Sequence, residues 1–457
     1  MRKWMRMLSL GCLLTLAAGL AAVAQDAPAL DPLLKILVEN KVITLEQAQA
    51  VQAQYAKQKA QDTTVITEDV KNQVSADLKK SGPKLPSALE GLKIGGLYYI
   101  SFQNGEKYSG TKDETTSYNQ FVLKRGYIDI QKDITPYFMA RATPDVTLDS
   151  TGDFKVRLKY MYGKFHWQGN DFITKPYVEA GLAHIPWLDF EESVNPYRMQ
   201  DTMFLERNNI MNSADVGVMF GADFGGQMSD EYKKNVSSAY AGKYGSMQVG
   251  LYNGGGYHAS EKNQNKALEY RITVRPLPGV LPGLQLSYFG IDGKPNITQP
   301  KPGPGVVYPD WRLNEWMVSY QHQYFTLTGQ WADGKNNQGG SAVWTYGPHM
   351  GDSLPWKGYS YFGEFRFPFS GSQNGKWSVI ARYDHFDPND DEPNSTTMKD
   401  VQKRTIFGVA WQFAKGNYFL LDYETLGHSK AWSGQPTGQH QPIPDEKRLQ
   451  LTMQVKF

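Results

Sequence analysis

The chain has very little cysteine: Cys12 is the single one, and it lies in an apolar leader. A chain that loses this leader cannot form disulfides, use a thiol nucleophile or attach c-type haem through a C-x-x-C-H motif. The sequence also lacks the G-x-S-x-G and H-E-x-x-H patterns of hydrolytic enzymes. We therefore expect no enzyme, no cofactor and no metal site of these kinds.

Long apolar stretches and an excess of charge are missing as well. Hydrophobic residues make up 40% of the sequence, and the mean hydropathy is −0.51. No uncharged run of spanning length follows the first two dozen residues, so a helical membrane protein is not indicated. The formal net charge is +2, which gives no reason to expect nucleic acid as a partner.

Residues 1–24 have the pattern of a secretory signal peptide. Three basic residues precede the apolar stretch 7–20, and Ala22-Val23-Ala24 fits a cleavage site for signal peptidase. A membrane anchor is the alternative, but the apolar stretch is short and polar sequence follows it. We expect a secreted mature chain that begins near Gln25.

Residues 25–80 are helical in character, and residues 81–91 resemble a linker because they contain Gly82, Pro83 and Pro86. A short apolar helix is predicted to end near Asn40. Thr44 and Gln47 predict a capping box for a second helix over 45–60, and a third helix is predicted after residue 67. The thin apolar stripe of this segment is compatible with a coiled coil and, equally, with a flexible polar spacer.

From Leu92 onward, apolar and polar residues alternate with a period of two. At the carboxyl end, Leu449, Leu451 and Met453 alternate with polar residues, and the pattern ends on Phe457. A soluble β-sandwich would also alternate, but aromatic residues at 13% and 44 glycines fit the girdles and turns of a membrane barrel. Sixteen strands are predicted, over residues 92–103, 121–133, 137–148, 154–167, 172–183, 215–224, 245–252, 267–276, 284–291, 314–323, 325–333, 358–369, 377–387, 403–413, 417–425 and 447–457.

The connecting segments support the same interpretation. Connections after odd-numbered strands are mostly long and those after even-numbered strands are mostly short, which is the asymmetry of outer-membrane barrels. Residues 149–153 are a short exception on the long side. Residues 225–244 are a long exception on the short side and could hide another strand pair. The predicted fold class is all-β: a transmembrane antiparallel β-barrel of about 16 strands, over residues 92–457, preceded by a short helical periplasmic segment.

Several stretches of the chain resemble the phosphate-selective porin O/P family of bacterial outer-membrane porins. They are FVLKRGYIDIQKDITPYFMARATPDV, PYVEAGLAHIPWLDFEESVNP with the following DVGVMFGADFG, VGLYNGGG, LEYRITVRPLPG, ARYDHFDPN and LQLTMQVKF. The resemblance covers residues 92–457. It implies a 16-stranded channel, a homotrimer and a third loop folded into the lumen. In that family phosphate preference depends on lysines in the pore, which have no residue-by-residue match here.

The alternation predicts which charged side chains face the lumen. The predicted pore-lining residues are Arg125, Arg141, Lys155, Arg157, Lys159, Arg271, Arg275, Arg366, Arg382, Asp129, Glu269, Glu364 and Asp384, with Asp145, Asp422 and Glu424 on the same faces. The long segment 184–214 combines large apolar residues with charges, which favours folding into the barrel over packing on a neighbouring subunit. The predicted constriction residues in that segment are Asp189, Glu191, Glu192, Arg198 and Arg207.

These patterns together indicate a porin in the outer membrane of a Gram-negative cell. We expect a water-filled channel for small hydrophilic solutes or ions, with anions such as phosphate as one option. The expected partners are outer-membrane lipid, the permeating solutes and two further copies of the chain. Two alternatives remain at this stage: a barrel that sheaths a partner protein, and, less favoured, a barrel enzyme.

Overall fold

The computed structural model describes residues 32–42, 44–54, 89–109, 114–149, 151–257, 259–344, 348–367, 375–390, 401–429 and 443–457. The chain divides into two units, Met1–Pro86 and Ser87–Phe457. The predicted signal peptide, the predicted third helix and most of the predicted linker lie outside the described residues. No helix in these ranges is long and apolar enough to cross a membrane.

The described part of the first unit contains two helices. Helix α1 spans Pro32–Glu39, which confirms the short apolar helix predicted before Asn40. Helix α2 covers residues 45–54 and begins with the predicted capping box. The backbone N–H of Thr44 donates to Oε1 of Gln47 over 2.9 Å, and the backbone N–H of Gln47 donates to Oγ1 of Thr44 over 3.2 Å. Two backbone donors at the helix start are satisfied in this way.

The second unit is a closed antiparallel barrel in which sixteen of the described strands, β1–β9 and β12–β18, pair in sequence and β1 closes on β18. The strands are β1 Leu92–Tyr108, β2 Thr115–Thr135, β3 Phe138–Leu148, β4 Phe154–His166, β5 Ile173–His184, β6 Ala214–Phe224, β7 Gly245–Tyr252, β8 Ala267–Val274, β9 Leu284–Gly293, β10 Gln299–Pro300, β11 Val306–Val307, β12 Trp311–Gln321, β13 Phe325–Lys335, β14 Pro355–Arg366, β15 Lys376–Asp387, β16 Val401–Ala414, β17 Asn417–Ser429 and β18 Glu446–Lys456. The predicted fold class and strand number are confirmed.

Strand β12 shows why the sequence closes into a barrel with two different surfaces. Its inward residues Glu315 and Ser319 are buried, whereas the outward residues Trp316 and Val318 are exposed. Exposed apolar side chains of this size gain free energy only where a lipid environment covers them. Polar residues of this strand lie on the other face, toward the inside of the barrel, so the period-two pattern separates lipid contacts from lumen contacts.

Aromatic clusters mark both ends of the outward surface. Near the short turns, Trp411 stacks between Trp377 and Phe419, with ring centroids 5.9 and 6.0 Å apart. Near the long loops, Tyr359 lies 4.8 Å from the His385 ring and 5.6 Å from the Tyr361 ring. Aromatic side chains of outer-membrane barrels form two such belts, one at each interface between the bilayer and water.

Two β-bulges in the middle of strands interrupt the alternation on the β1–β4 side of the barrel, and a further register shift lies at the end of β2, between Asp133 and Thr135. Tyr99 of β1 is opposite Arg125, and Ile100 is opposite Leu123, so Lys124 is an additional residue in β2. In β4, Lys159 is additional in the same way, between partners of Thr143 and Pro144. A bulge shifts the phase of the alternation by one residue. The inward-facing positions are therefore even-numbered on one side of the bulge and odd-numbered on the other.

The inner turn, residues 225–244 between β6 and β7, contains no strand pair. It holds a single helical turn, α5 Asp230–Asn235, whose first N–H groups are capped by Ser229, since Oγ of Ser229 accepts from the backbone N–H of Tyr232 over 3.2 Å. Gln227 and Gly242 form an isolated bridge at its base. The strand assignment without an extra pair is therefore correct.

Candidate pore constriction

The connection between β5 and β6 folds into the lumen. This loop, L3, covers residues 185–213 and includes α3 Leu188–Val194 and α4 Phe204–Arg207. Its apolar side chains pack on the barrel wall. Trp187 stacks on Phe289 of β9 with centroids 5.4 Å apart, and Phe204 meets Phe386 of β15 edge-on at 6.3 Å. Both L3 residues are completely buried, so hydrophobic burial drives the loop inward.

A second apolar contact attaches the middle of L3 to another part of the barrel wall, formed by strands that include β14, β17 and β1. Tyr197 and Met199 belong to one buried cluster with Tyr99 of β1, Phe362 of β14 and Leu420 of β17. Together with the first contact, this cluster makes L3 cover the inner face of the barrel from β8 to β17. The inner face of β2–β4 takes no part in either cluster.

Polar wall residues anchor the covered side of L3. The Tyr197 hydroxyl donates to Oε1 of Glu364 over 2.6 Å. Arg382 donates to the carbonyl oxygen of Thr202 over 3.1 Å and forms an ion pair of 2.8 Å with Asp384. Glu364, Arg382 and Asp384 therefore face inward as predicted, but they hold the loop and are buried rather than lining open water.

Three further predicted lining residues, in β8 and directly after it, are covered rather than open to the lumen. Glu269, Arg271 and Arg275 all face inward, and all are almost completely buried. Arg271 donates from Nε to the carbonyl oxygen of Pro186 in L3 over 3.0 Å, and Arg275 donates from Nη1 to the hydroxyl of Tyr232 in the inner turn over 3.1 Å. The alternation found their face, but L3 and the inner turn cover it.

Arg366 is another predicted lining residue with a structural contact. It is about a quarter exposed, forms an ion pair with Glu364 and donates from Nη1 to the carbonyl oxygen of His322 over 2.8 Å. His322 lies in the short turn between β12 and β13. Arg366 therefore lies at the rim formed by the short turns.

The inner face of β2–β4 carries the charged side chains that reach lumen water. Nη1 of Arg125 lies 3.3 Å and Nε of Arg157 lies 3.0 Å from the same carboxylate oxygen, Oδ2 of Asp145. Asp145 is fully buried, whereas the side chains of Arg125 and Arg157 are 19% and 30% exposed. Two guanidinium groups thus share one carboxylate, and this triad keeps a net charge of +1.

The two neighbours of this triad behave differently. Arg141 forms an ion pair of 2.6 Å with Asp129, so their charges cancel. Lys159 is buried, lies 3.2 Å from the Tyr127 hydroxyl, and its Nζ is 4.5 Å from the centroid of the Tyr127 ring. No carboxylate of the described residues lies within ion-pair distance of it. A cation over an aromatic face retains its charge without a carboxylate partner.

Lys155 lies at the edge of the channel rather than inside it. Its side chain is 67% exposed and forms an ion pair of 2.6 Å with Asp149 in the turn between β3 and β4. Hydrogen bonds from Lys155 and Thr151 lower the pKa of Asp149. The basic row predicted in β4 therefore consists of Arg157 and Lys159 in the lumen and Lys155 at the mouth.

Most of the charges in L3 are neutralised within the loop. Arg198 forms an ion pair with Glu192 and another of 2.7 Å with Glu206. Arg207 is paired with Asp201 at 3.3 Å. Arg198 and Arg207 are buried between these partners, and Glu192 keeps 29% of its side chain exposed on the open side. Of the predicted constriction residues, Arg198 and Arg207 thus stiffen the loop through these ion pairs, and Glu192 also faces the channel.

Glu191 and Asp189 have opposite surroundings although both are in α3. Glu191 is buried, accepting from Nε1 of Trp187 over 3.0 Å and from Nε2 of Gln330 over 2.8 Å. Burial raises the pKa of Glu191 to about 7. Asp189 is exposed to the lumen and accepts from the Tyr240 hydroxyl over 2.7 Å. Asp189 can therefore meet a solute, whereas Glu191 cannot.

The bulges explain which inward residues the alternation missed. Lys124 faces inward beside Arg125, and its Nζ donates to the Met199 carbonyl oxygen of L3 over 3.0 Å. Beyond the bulge in β4, Tyr160 and Lys164 also face inward; Lys164 forms an ion pair of 3.2 Å with Glu179. A phase shift of one residue does not change the composition of a strand. The sequence signal that could have revealed these bulges is the break in alternation near residues 123–125 and 158–160.

A cavity of about 560 Å³ lies below the constriction, on the side of the short turns. Arg141, Tyr162 and His184 line it from the barrel wall, Asp189 lines it from L3, and Tyr240 lines it from the inner turn. Mixed charges and tyrosine rings make it a wet vestibule.

No protein-family model matches the chain, and no curated protein matches it in sequence. Among solved structures, the chain is similar to OmpF of Salmonella typhi, solved as a complex with daunomycin, with a TM-score of 0.51 and 11% identity over 80% of this chain and 97% of that one. An anion-selective porin from Comamonas acidovorans gives a TM-score of 0.49 and 11% identity over 80% and 99%. OmpT, an outer-membrane protein of Vibrio cholerae, gives 0.46 and 9% over 80% and 97%.

The likeness to OmpF extends over nearly all of that chain and shows the fold. The second unit of this chain therefore shares its barrel fold with OmpF. At such low identity the likeness carries no information on solutes, on charge preference or on assembly.

Proposed function

We propose that this protein is a porin of the Gram-negative outer membrane, a passive diffusion channel for small hydrophilic solutes and ions. One observation carries the proposal. L3 covers the inner wall from β8 to β17 with apolar contacts and leaves partly exposed charges on β2–β4. A loop that lines a charged opening on one side only is the arrangement that a size- and charge-selective channel requires.

The outward surface supports the location in this proposal. The aromatic belts at both barrel ends and the exposed apolar side chains between them match a bilayer that surrounds the barrel. The long-loop end then faces the cell exterior and the short-turn end faces the periplasm. A periplasmic location of the N-terminal helical segment is also part of the proposal. A homotrimer is part of the proposal, from the family resemblance.

The charge preference that we propose is a modest one for anions. At the level of the triad, Arg125, Arg157, Lys159 and Arg198 face three carboxylates, which are those of Asp145, Glu192 and Glu206. The excess of one cationic group favours anions in the narrowest part. Phosphate as the preferred anion rests on the family resemblance and is one member of this class.

Single-channel recording tests the function directly. The purified full chain, added to a planar lipid bilayer, should produce stepwise conductance increments, and polyethylene glycols small enough to enter should reduce them. A protein that inserts into the bilayer without any conductance step would overturn the channel proposal.

The same preparation addresses the two alternatives. A partner protein inside the barrel conflicts with a lumen already occupied by L3 and the inner turn. We propose that the protein carries out no bond chemistry, so purified protein should release no product from phospholipid or peptide substrates. Hydrolysis at a rate above that of a heat-inactivated sample would favour the enzyme alternative.

A further inference from the structure

The inner turn, which is unusually long for the short-turn end of the barrel, has a small core of its own. Met228, Tyr232 and Ala241 form a buried apolar cluster, against which Val236 packs. The backbone N–H of Met228 donates to the carbonyl oxygen of Ala241 over 2.8 Å across the base of the turn. These contacts give the turn a defined shape, because its two arms are tied together by backbone and side-chain contacts.

The returning arm of the inner turn, residues 238–240, meets L3 inside the lumen. The Tyr240 hydroxyl donates to Oδ2 of Asp189, and the Tyr240 ring lies edge-on to the Phe190 ring at 5.4 Å and 78°. Asp189 and Phe190 belong to α3. One hydrogen bond to a carboxylate and one aromatic contact therefore join an element that enters from the long-loop end to one that enters from the short-turn end.

Arg271 of β8 and Arg275, which directly follows β8, hold this junction from the wall. The guanidinium carbon of Arg271 lies 4.2 Å from the Phe190 ring centroid and 4.8 Å from that of Tyr240, so one cation contacts both rings. Arg275 donates from Nη1 to the Tyr232 hydroxyl and from Nε to the Gly242 carbonyl oxygen over 3.4 Å. Neither arginine has an ion-pair partner within the described ranges. Their position is explained by the turn and the loop that they support.

The opposite side of this arm faces water. Ser238 and Ala239 are exposed and line the vestibule of about 560 Å³ together with Tyr240. Across that space are Arg141 and Tyr162 of the wall. In the proposed channel, a solute that has passed L3 would move between this arm and the wall before it reaches the short-turn end.

We infer that the inner turn forms a second constriction in series with L3, and that Tyr240 sets its width by fixing the returning arm of the turn against Asp189. This inference rests on the proposed channel function and adds a second filter below the charged one. The specificity of the pore is then divided between β2–β4 and the inner turn.

Cysteine modification in bilayers tests the inference. Ser238→Cys, in a chain whose Cys12 is changed to Ser, is treated from the short-turn side with a cationic methanethiosulfonate reagent. Because position 238 faces the vestibule, we expect a stepwise and irreversible loss of part of the single-channel conductance. The matched control is Asn235→Cys, which is exposed at the end of α5 and does not line the vestibule. It should be labelled with no change in conductance.

The Tyr240→Ala and Tyr240→Phe variants separate the ring from its hydrogen bond. We expect Tyr240→Ala to raise the conductance and to admit larger polymers, and Tyr240→Phe to keep the mean conductance with more frequent fluctuations. The inference fails if modified Ser238→Cys conducts as before, or if Tyr240→Ala leaves conductance and size cutoff unchanged. If the unmodified protein itself gives no steps, the proposed function fails instead, so the two failures are distinguishable.

Discussion

Replacing Arg157 by glutamine should reduce anion preference in a salt-dependent manner. Arg157 and Arg125 share the single carboxylate of Asp145, at 3.0 and 3.3 Å. Removal of one guanidinium takes this triad from a net charge of +1 to zero. The remaining Arg125–Asp145 pair keeps the buried carboxylate neutralised, so the barrel should fold normally.

The size of the effect follows from Coulomb's law. One unit charge acting on an ion about 7 Å away in water contributes roughly 0.6 kcal/mol. Screening reduces this to about 0.5 kcal/mol at 10 mM salt and to less than about 0.1 kcal/mol at 1 M, because the Debye length falls from about 30 to about 3 Å. Anions lose this attraction while cations lose the same repulsion, so the anion-to-cation permeability ratio should fall about fivefold at 10 mM and hardly at all at 1 M.

Reversal potentials across a tenfold KCl gradient measure this ratio. Lys155→Gln is the matched control, because it removes a cation of the same strand that is paired with Asp149 at the mouth. It should shift the reversal potential much less than Arg157→Gln. If Arg157→Gln leaves the potential unchanged at low salt, or if the control shifts it equally, the triad is not the charge filter.

Three other outcomes can be measured. Phe204→Ala removes a completely buried ring of L3 and should weaken the docking of the loop by about 3–5 kcal/mol, which increases the noise of the single-channel current. The control is Phe165→Ala, which removes a lipid-facing ring and should not increase the noise. Equal noise in both variants would argue against docking through Phe204. Burial raises the pKa of Glu191 to about 7, so the folded protein binds the proton more tightly than the unfolded chain. The wild-type protein should therefore lose up to about 3 kcal/mol of stability as the pH rises from about 4.5 to 7, and Glu191→Gln should remove this loss. Melting temperatures of the two proteins that change in parallel with pH would contradict this. Thr44→Ala removes one half of the capping box of α2 and should reduce helix stability by about 1 kcal/mol, measured by circular dichroism of a peptide covering residues 40–60, and Glu46→Ala serves as the comparison.

Much of the barrel could be predicted because its determinants are local. Each strand needs only an alternation of apolar and polar residues, and β7 begins at Gly245 and ends at Tyr252 where the pattern predicts. The capping box of Thr44 and Gln47 is local as well. The main differences are strand ends: β1 continues to Tyr108 and β2 begins at Thr115, because pairing of two adjacent strands extends beyond the apolar pattern.

The candidate constriction was predictable only in part. The face of a side chain follows from alternation, so Arg125, Arg157 and Arg271 were all expected inside. Whether an inward side chain meets water depends on what folds over it. Arg271 is covered by L3 and the inner turn, and Arg157 is not. The bulge at Lys124 was also hidden, since one additional residue changes the phase without changing the composition.

The sequence by itself determined the sixteen-strand barrel, its two chemically different faces and the content of L3, because period-two alternation and local turn chemistry act over a few residues. The tertiary structure alone decided which charges share the open side of the lumen. Arg125, Asp145 and Arg157 meet across three strands, and Asp189 meets Tyr240 across about fifty residues of chain. Such contacts depend on the register of the closed barrel and on the direction in which two loops fold, and no local pattern encodes either.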